Sequence, residues 1–158
     1  MGEFRKMRRF NQELSEKLCV SILKEEPRGI LAVNGDNDYP YAFPMNYLYD
    51  EGKIYFHCGK EGYKLDALKR SDKVSFCVCD KGFIKDGEWA LNIQSVIVFG
   101  RIRFIDEPEE TISHVRKLAL KYYPTEEAVE EEIRKVGSKV QILELTIEYM
   151  TGKLVKES

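Results

Sequence analysis

Apolar residues recur along this chain with two periods, and the switches between them lay out its elements. Leu14, Leu18 and Ile22 stand four residues apart, with Leu23 beside them. That is the spacing of one helical face, and Pro27 and Gly29 end the helix near Glu26. Gly29 to Val33 is a short apolar run closed by the turn sequence Asn34-Gly35-Asp36-Asn37-Asp38. Tyr39 to Tyr49 reads as one strand with Pro40 at its start and Pro44 inside it. A proline cannot donate to a sheet ladder, so this strand is expected at an edge, at a bulge or facing a ligand. Asp50-Glu51-Gly52-Lys53 reads as a hairpin turn, with Ile54 to Cys58 as the returning strand. Gly62 to Arg70 predicts a short helix with Leu65 and Leu68 inward, and Val74 to Cys79 alternates as a strand.

Gln94 to Ile105 is a longer strand, apolar on both faces: Val96, Val98 and Gly100 on one, Ile97 and Phe99 on the other. Two-sided apolarity predicts burial on both faces, inside a barrel or against a second subunit. Asp106-Glu107-Pro108 reads as a cap followed by a first-turn proline. The helix it opens runs to Tyr122 and buries Ile112, Val115 and Leu118, which leaves His114, Lys117 and Lys121 on a solvated side. Pro124-Thr125 starts a second helix through Val136, where Glu126-Glu127 and Glu130-Glu131-Glu132 read as a solvated face. Gly137 ends it, and Val140 to Tyr149 alternates as a last core strand. Helix, four or five antiparallel strands, two helices and a strand predict a mainly β, α+β domain: an antiparallel barrel with flanking helices.

Composition narrows the picture without naming a function. The 158 residues fit one domain, 1–158, large enough to bury a core without disulfides or metals. A net charge of −2 gives no sign of nucleic acid or a membrane surface as partner. No apolar run reaches spanning length. The basic stretch Met1 to Asn11 lacks the apolar core of a secretory signal and reads as a flexible arm. The cytoplasm is therefore the expected location. Cys19, Cys58, Cys77 and Cys79 form no CxxC pair, so free thiols are expected rather than a disulfide framework. A zinc site from Cys58, Cys77, Cys79 and His57 matches no usual ligand spacing, and no metal is expected.

The chemistry concentrates between Tyr41 and Val74. A strand ends at His57-Cys58, the loop Gly59-Lys60-Glu61-Gly62 follows, and a helix opens at Tyr63-Lys64. Glycines let backbone amides approach a ligand, and a helix N-terminus offers unpaired N–H groups to an anion. A lysine in that first turn opposes the helix dipole. A bound phosphate would resolve the conflict, while solvated lysines are the plainer reading of the same residues.

Pro44-Met45-Asn46-Tyr47, Tyr49-Asp50-Glu51-Gly52, Tyr55-Phe56-His57, Glu61-Gly62-Tyr63-Lys64-Leu65 and Lys69-Arg70 together resemble one known pattern. It is that of the pyridoxamine 5'-phosphate oxidase-like, FMN-binding split-barrel superfamily, nearest to its nitroimidazole-resistance group. Val98-Phe99-Gly100-Arg101-Ile102 is similar to a later strand of that family, and the likeness spans roughly residues 14 to 149. The resemblance implies a split β-barrel homodimer with FMN at the interface. It places the flavin along Pro44, Met45, Asn46 and Tyr47, and its phosphate at His57, Cys58, Gly59 and Lys64. It also implies approaches by Gln94 and Ser95, and Trp89 as an aromatic cover from the partner. The implied activity is transfer of electrons from NAD(P)H to a small-molecule acceptor such as a nitroaromatic or nitroimidazole, with no catalytic side chain required. A non-catalytic flavin module, or the same barrel holding haem or a deazaflavin, are the alternatives. Ala42 and Tyr47 stand where pyridoxamine phosphate oxidases proper carry basic motifs, which argues against pyridoxamine phosphate as substrate.

Overall fold

The structure, a computed structural model, describes residues 3–157. Residues 1 and 2 of the expected N-terminal arm lie outside the described residues. Eight strands form one antiparallel sheet: β1 (Arg28–Asn34), β2 (Pro40–Asn46), β3 (Leu48–Asp50), β4 (Lys53–Cys58), β5 (Lys73–Cys79), β6 (Phe83–Ile84), β7 (Leu91–Ile105) and β8 (Gln141–Glu157). Their order is β2-β1-β5-β7-β8-β4-β3, with β6 paired to β7. Four helices accompany them: α1 (Glu16–Glu25), α2 (Tyr63–Arg70), α3 (Pro108–Tyr122) and α4 (Glu126–Val136).

Chain connectivity makes this sheet curl. Its two edges, β2 and β3, are separated in sequence by Tyr47 alone. The single strand expected from Tyr39 to Tyr49 is therefore broken at Tyr47, where the chain leaves one edge and starts the other. Pro44 sits in the edge strand β2, opposite Ile30 of β1, as a missing N–H requires. The result is a half-closed barrel, α+β and mainly β.

The concave face holds the main core. Leu31, Phe43, Met45, Ile54, Phe56, Phe76, Val78, Val96, Val98, Leu143 and Leu145 pack there with Cys19, Ile22 and Leu23 of α1 and Leu65 and Leu68 of α2. Tyr47 and Phe56 both meet Phe76 edge to face, at 4.9 and 5.1 Å between ring centroids, a favoured aromatic geometry. The Tyr47 hydroxyl is buried there without a hydrogen-bond partner among the described residues. An unpaired buried hydroxyl costs about 1 kcal/mol or more, so Tyr47→Phe is expected to raise the melting temperature by roughly 2–4 °C. A fall in thermal unfolding would show that the hydroxyl has a partner in solution.

The convex face is divided. At one end α3 covers it, burying Val115 and Leu118 against Tyr55, Ile105 and Ile142. At the other end Ile30, Ile97 and Phe99 remain exposed. Phe4 of the basic N-terminal segment stacks on Tyr149 at 4.9 Å and Phe99 at 5.8 Å, beside that open region. The last strand runs well past the expected Tyr149, to Glu157, because it pairs with the whole of β7.

Helix starts follow the expected chemistry. Ser15 accepts from Leu18 N–H and Thr125 from Ala128 N–H. Glu107, rather than Asp106, accepts from Glu109 and Glu110 N–H ahead of Pro108. One helix face departs from expectation. His114 is not solvated: its ring stacks on Tyr55 at 4.1 Å between centroids, and Lys121 is half-buried. Helix α3 is gripped by the sheet and by α4, where Arg116 pairs with Glu130 at 2.7 Å, so its buried stripe is wider than periodicity alone implies.

Under α3 lies a buried carboxylate, Glu144. It accepts from Lys53 Nζ at 3.2 Å, Tyr55 Oη at 3.1 Å, and Arg103 Nε and Nη2 at 3.2 and 3.3 Å. Burial pushes its pKa up, but the bonds from Arg103, Lys53 and Tyr55 outweigh that and hold it below the usual carboxylate value. A folded pKa below the unfolded one means stability that is present above about pH 4.3 and lost as pH falls through the folded pKa. Wild type is therefore expected to lose melting temperature from about pH 5 to pH 3 more steeply than Glu144→Gln. Parallel slopes in calorimetry at those pH values would count against the assignment.

Candidate cofactor site

Helix α2 is held beside edge strand β2 by an aromatic ladder. Tyr63 packs on Tyr41 at 4.4 Å and Tyr41 on Phe43 at 5.1 Å. Tyr63 Oη also accepts from Asp36 N–H at 2.7 Å, and Arg70 pairs with Asp36 at 2.8 Å, so both ends of the helix are tied to the turn after β1. Gly62 begins the helix at φ +141°, with no side chain capping the first turn. A Cβ built at Gly62 meets nothing within 4 Å. The first-turn N–H groups are thus open on one side.

Lys64 stands in that first turn. Its ammonium lies 3.9 Å from Met45 Sδ and 4.7 Å from the centre of the Phe43 ring. Among the described residues no carboxylate pairs with it. A half-buried cation at the positive end of a helix, without an acid among the described residues, is suited on both counts to pair with an anion. Burial lowers the His57 pKa, and Lys64 adds to that while Glu132 opposes it, so the ring is neutral at pH 7. Burial raises the Cys58 pKa, with Lys64 pulling the other way, so Cys58 is a thiol; its Sγ lies 3.8 Å from the Gln141 carbonyl.

The expected site residues fall into two groups. Pro44, Asn46, His57, Cys58, Gly59 and Lys64 lie near the β2 edge, the end of β4 and the start of α2. Strand alternation divides the first stretch: Pro44 and Asn46 face outward, while Met45 and Tyr47 point into the core. Only the backbone of Met45 and Tyr47 is available to a ligand on the outer side. Gln94 and Ser95 belong to β7, and β1 and β5 separate that strand from β2, an interval of roughly 14 Å at the usual strand spacing. Gln94 N–H donates to Asp80 Oδ1 at 3.0 Å. Trp89 precedes β7 and is 77% exposed. One chain therefore does not bring this second group to the first. A hollow of about 760 Å³ beside Phe4, Ala32, Ser75, Phe99 and Arg101 contains neither group.

Periodicity missed a clasp at the seam between the sheet edges. Tyr122 Oη accepts from Tyr47 N–H at 2.8 Å and is within hydrogen-bonding distance of the Pro27 and Tyr47 carbonyls. Lys121 Nζ donates to the carbonyls of Glu26 and Tyr47 at 2.7 and 3.0 Å and lies 3.9 Å from the centre of the Tyr47 ring. Burial pulls its pKa down to about 8, against the attraction of Glu26. These two residues of α3 fix the backbone where β2 turns into β3, and so fix the outward aim of Asn46.

A family model described as pyridoxamine 5'-phosphate oxidase matches residues 15–154. The chain belongs to that family. The half-closed barrel is the family's split-barrel fold, and solved structures share it. A candidate 5-nitroimidazole antibiotic resistance protein from Bacteroides thetaiotaomicron superposes with a TM-score of 0.76 at 21% identity, over 92% of this chain and 87% of that one. The flavocytochrome Anf3 from Azotobacter vinelandii gives 0.78 at 18% identity, over 95% and 72%. An FAD-binding protein from Mesorhizobium loti gives 0.65 at 21%, over 91% and 97%. No curated protein matches the chain. Among the described residues no helix is long and apolar enough to cross a membrane.

Proposed function

We propose that this family member is a cytoplasmic FMN-binding flavoprotein that works as a homodimer and passes electrons from NAD(P)H to a small acceptor such as a nitroaromatic. The observation that carries the reading is Lys64, a half-buried cation with no acid among the described residues, at the open first turn of α2. The names of the flavocytochrome and the FAD-binding protein support a flavin, and the resistance protein supports the nitroaromatic class.

The residues present fit the group. The Gly62 turn leaves room for a phosphate against the N–H groups of Tyr63, Lys64 and Leu65, and Lys64 supplies the counter-charge. Pro44 and Asn46 line the outer side of β2, where a flat ring can lie. Bound there, FMN supplies the two-electron chemistry. The chain's own part is to orient the ring, neutralise the phosphate and exclude water. His57 is neutral and moves no proton in this scheme. Unbridged cysteines, with Cys77 and Cys79 exposed, suit a reducing compartment.

Dimerisation has its own support. Pro44, Ile30, Cys77 and Ile97 stand side by side across four strands on the convex face. Ile30, Ile97 and Phe99 are large apolar side chains left exposed there, and such patches mark interaction surfaces. A second copy on this face could also bring a Gln94, Ser95 and Trp89 group to each flavin. Light scattering is expected to give a dimer mass for wild type and a monomer for Ile97→Lys; a monomeric wild type would end the dimer proposal.

The cofactor is tested by the absorbance spectrum of the purified protein, with identification of any released chromophore, followed by titration with FMN. Flavin bands and released FMN are expected. A colourless chain that FMN does not bind would overturn the flavoprotein reading, and a haem or deazaflavin spectrum would replace the cofactor.

A further inference from the structure

Between the α3–α4 hairpin and the ends of β2 and β4 lies a partly open cavity of about 150 Å³. Its walls are mostly apolar: Val115, Leu118 and Ala119 of α3, Val136 of α4 and Val140 before β8, with the rings of Tyr122 and Tyr123. Asn46, His57 and Glu132 complete its lining. Apolar walls with a few converging polar groups are the usual make-up of a small-molecule site. We infer that this cavity binds a single-ring aromatic compound carrying a hydroxyl or amino donor.

Size sets the first half of that assignment. An apolar cavity of about 150 Å³ accommodates one benzene ring. A fused bicycle fits it less well, and an isoalloxazine exceeds it. Polarity sets the second half. The Glu132 carboxylate only accepts hydrogen bonds, and the Tyr123 hydroxyl of the same lining stands beside it, leaving its other lone pairs for a ligand donor. Neutral His57 offers one acceptor and one donor, and the Asn46 amide offers both. A ring with an O–H or N–H meets Glu132 and still finds a donor for its lone pair. Glu132 belongs to an acidic run that reads as solvent-facing, yet it is half-buried at the cavity margin. The assignment stands on the cavity and does not depend on FMN. The same Asn46 and His57 border the proposed flavin stretch, so a ring seated here would adjoin it.

The test uses the full chain stripped of any cofactor, titrated calorimetrically with phenol, toluene and 2-naphthol, alongside a separate FMN titration. Phenol is expected to bind one to one, and toluene and 2-naphthol at least about tenfold more weakly. Val136→Phe fills the cavity and is expected to weaken phenol at least about tenfold while FMN affinity stays unchanged. Glu132→Gln leaves the cavity open and is expected to erase most of the preference for phenol over toluene. It carries the test if Val136→Phe melts well below wild type. Absence of phenol binding, equal binding of 2-naphthol, or a phenol preference untouched by Glu132→Gln would overturn the inference. Loss of FMN binding with phenol binding intact would overturn the flavin reading alone.

Discussion

Replacing Gly100 with alanine is expected to destabilise the fold by about 3 kcal/mol and lower its melting temperature by roughly 6–12 °C. Gly100 sits where β7 and β8 slip register: Phe99 faces Tyr149 but Gly100 faces Ile147, so Glu148 is the extra residue of a bulge. A Cβ at Gly100 would overlap the Thr146 carbonyl oxygen and come within 2.7 Å of Leu145 Cδ2. The first obstacle is backbone, which cannot swing aside as a flexible side chain can, and the second is a core residue. Relief would require opening the β7–β8 ladder, the longest pairing in the sheet. Gly52→Ala is the control. Gly52 has φ +81° and nothing within 4 Å of a built Cβ, so its substitution is expected to cost only the left-handed backbone penalty of about 1 kcal/mol. Equal melting temperatures for the two variants would show that the bulge yields.

Lys64→Ala is expected to weaken FMN roughly 10- to 100-fold while leaving riboflavin binding nearly unchanged. A hydrogen bond to a charged group is worth about 1.5–3 kcal/mol, and only FMN carries the phosphate. The fold should tolerate the change. Lys64 forms no salt bridge with the described residues, and its contact with the Phe43 ring is worth about 0.5–1 kcal/mol. Removing a cation from the first turn also relieves its conflict with the helix dipole. Fluorescence titration of both ligands into wild type and variant separates the outcomes. Unchanged FMN affinity, or equal losses for FMN and riboflavin, would remove Lys64 from the phosphate site.

The sequence by itself determined most of the elements and several of their ends. Pro108 and Thr125 mark helix starts, Gly52 a hairpin, and Pro44 an edge strand, because each depends on the backbone preferences of a few neighbouring residues. It also determined the loop from Gly59 to Lys64, since a glycine turn before a helix start is a local feature. The resemblance carried by Pro44 to Tyr47 and by Tyr55 to Lys64 led to the family. Only the tertiary structure decided which face each residue serves. Tyr47 divides what reads as one strand, because the two sheet edges must meet there. His114 and Lys121 leave the solvated side of α3, because Tyr55 of β4 covers the first and the seam at Tyr47 holds the second. Glu132 leaves an acidic run for a cavity margin, because a second helix turns that face inward. Separation of Gln94 and Ser95 from Lys64 is likewise a matter of strand order. Periodicity reports one face of one element, whereas a site is made where faces of different elements converge, and that convergence is set by long-range packing.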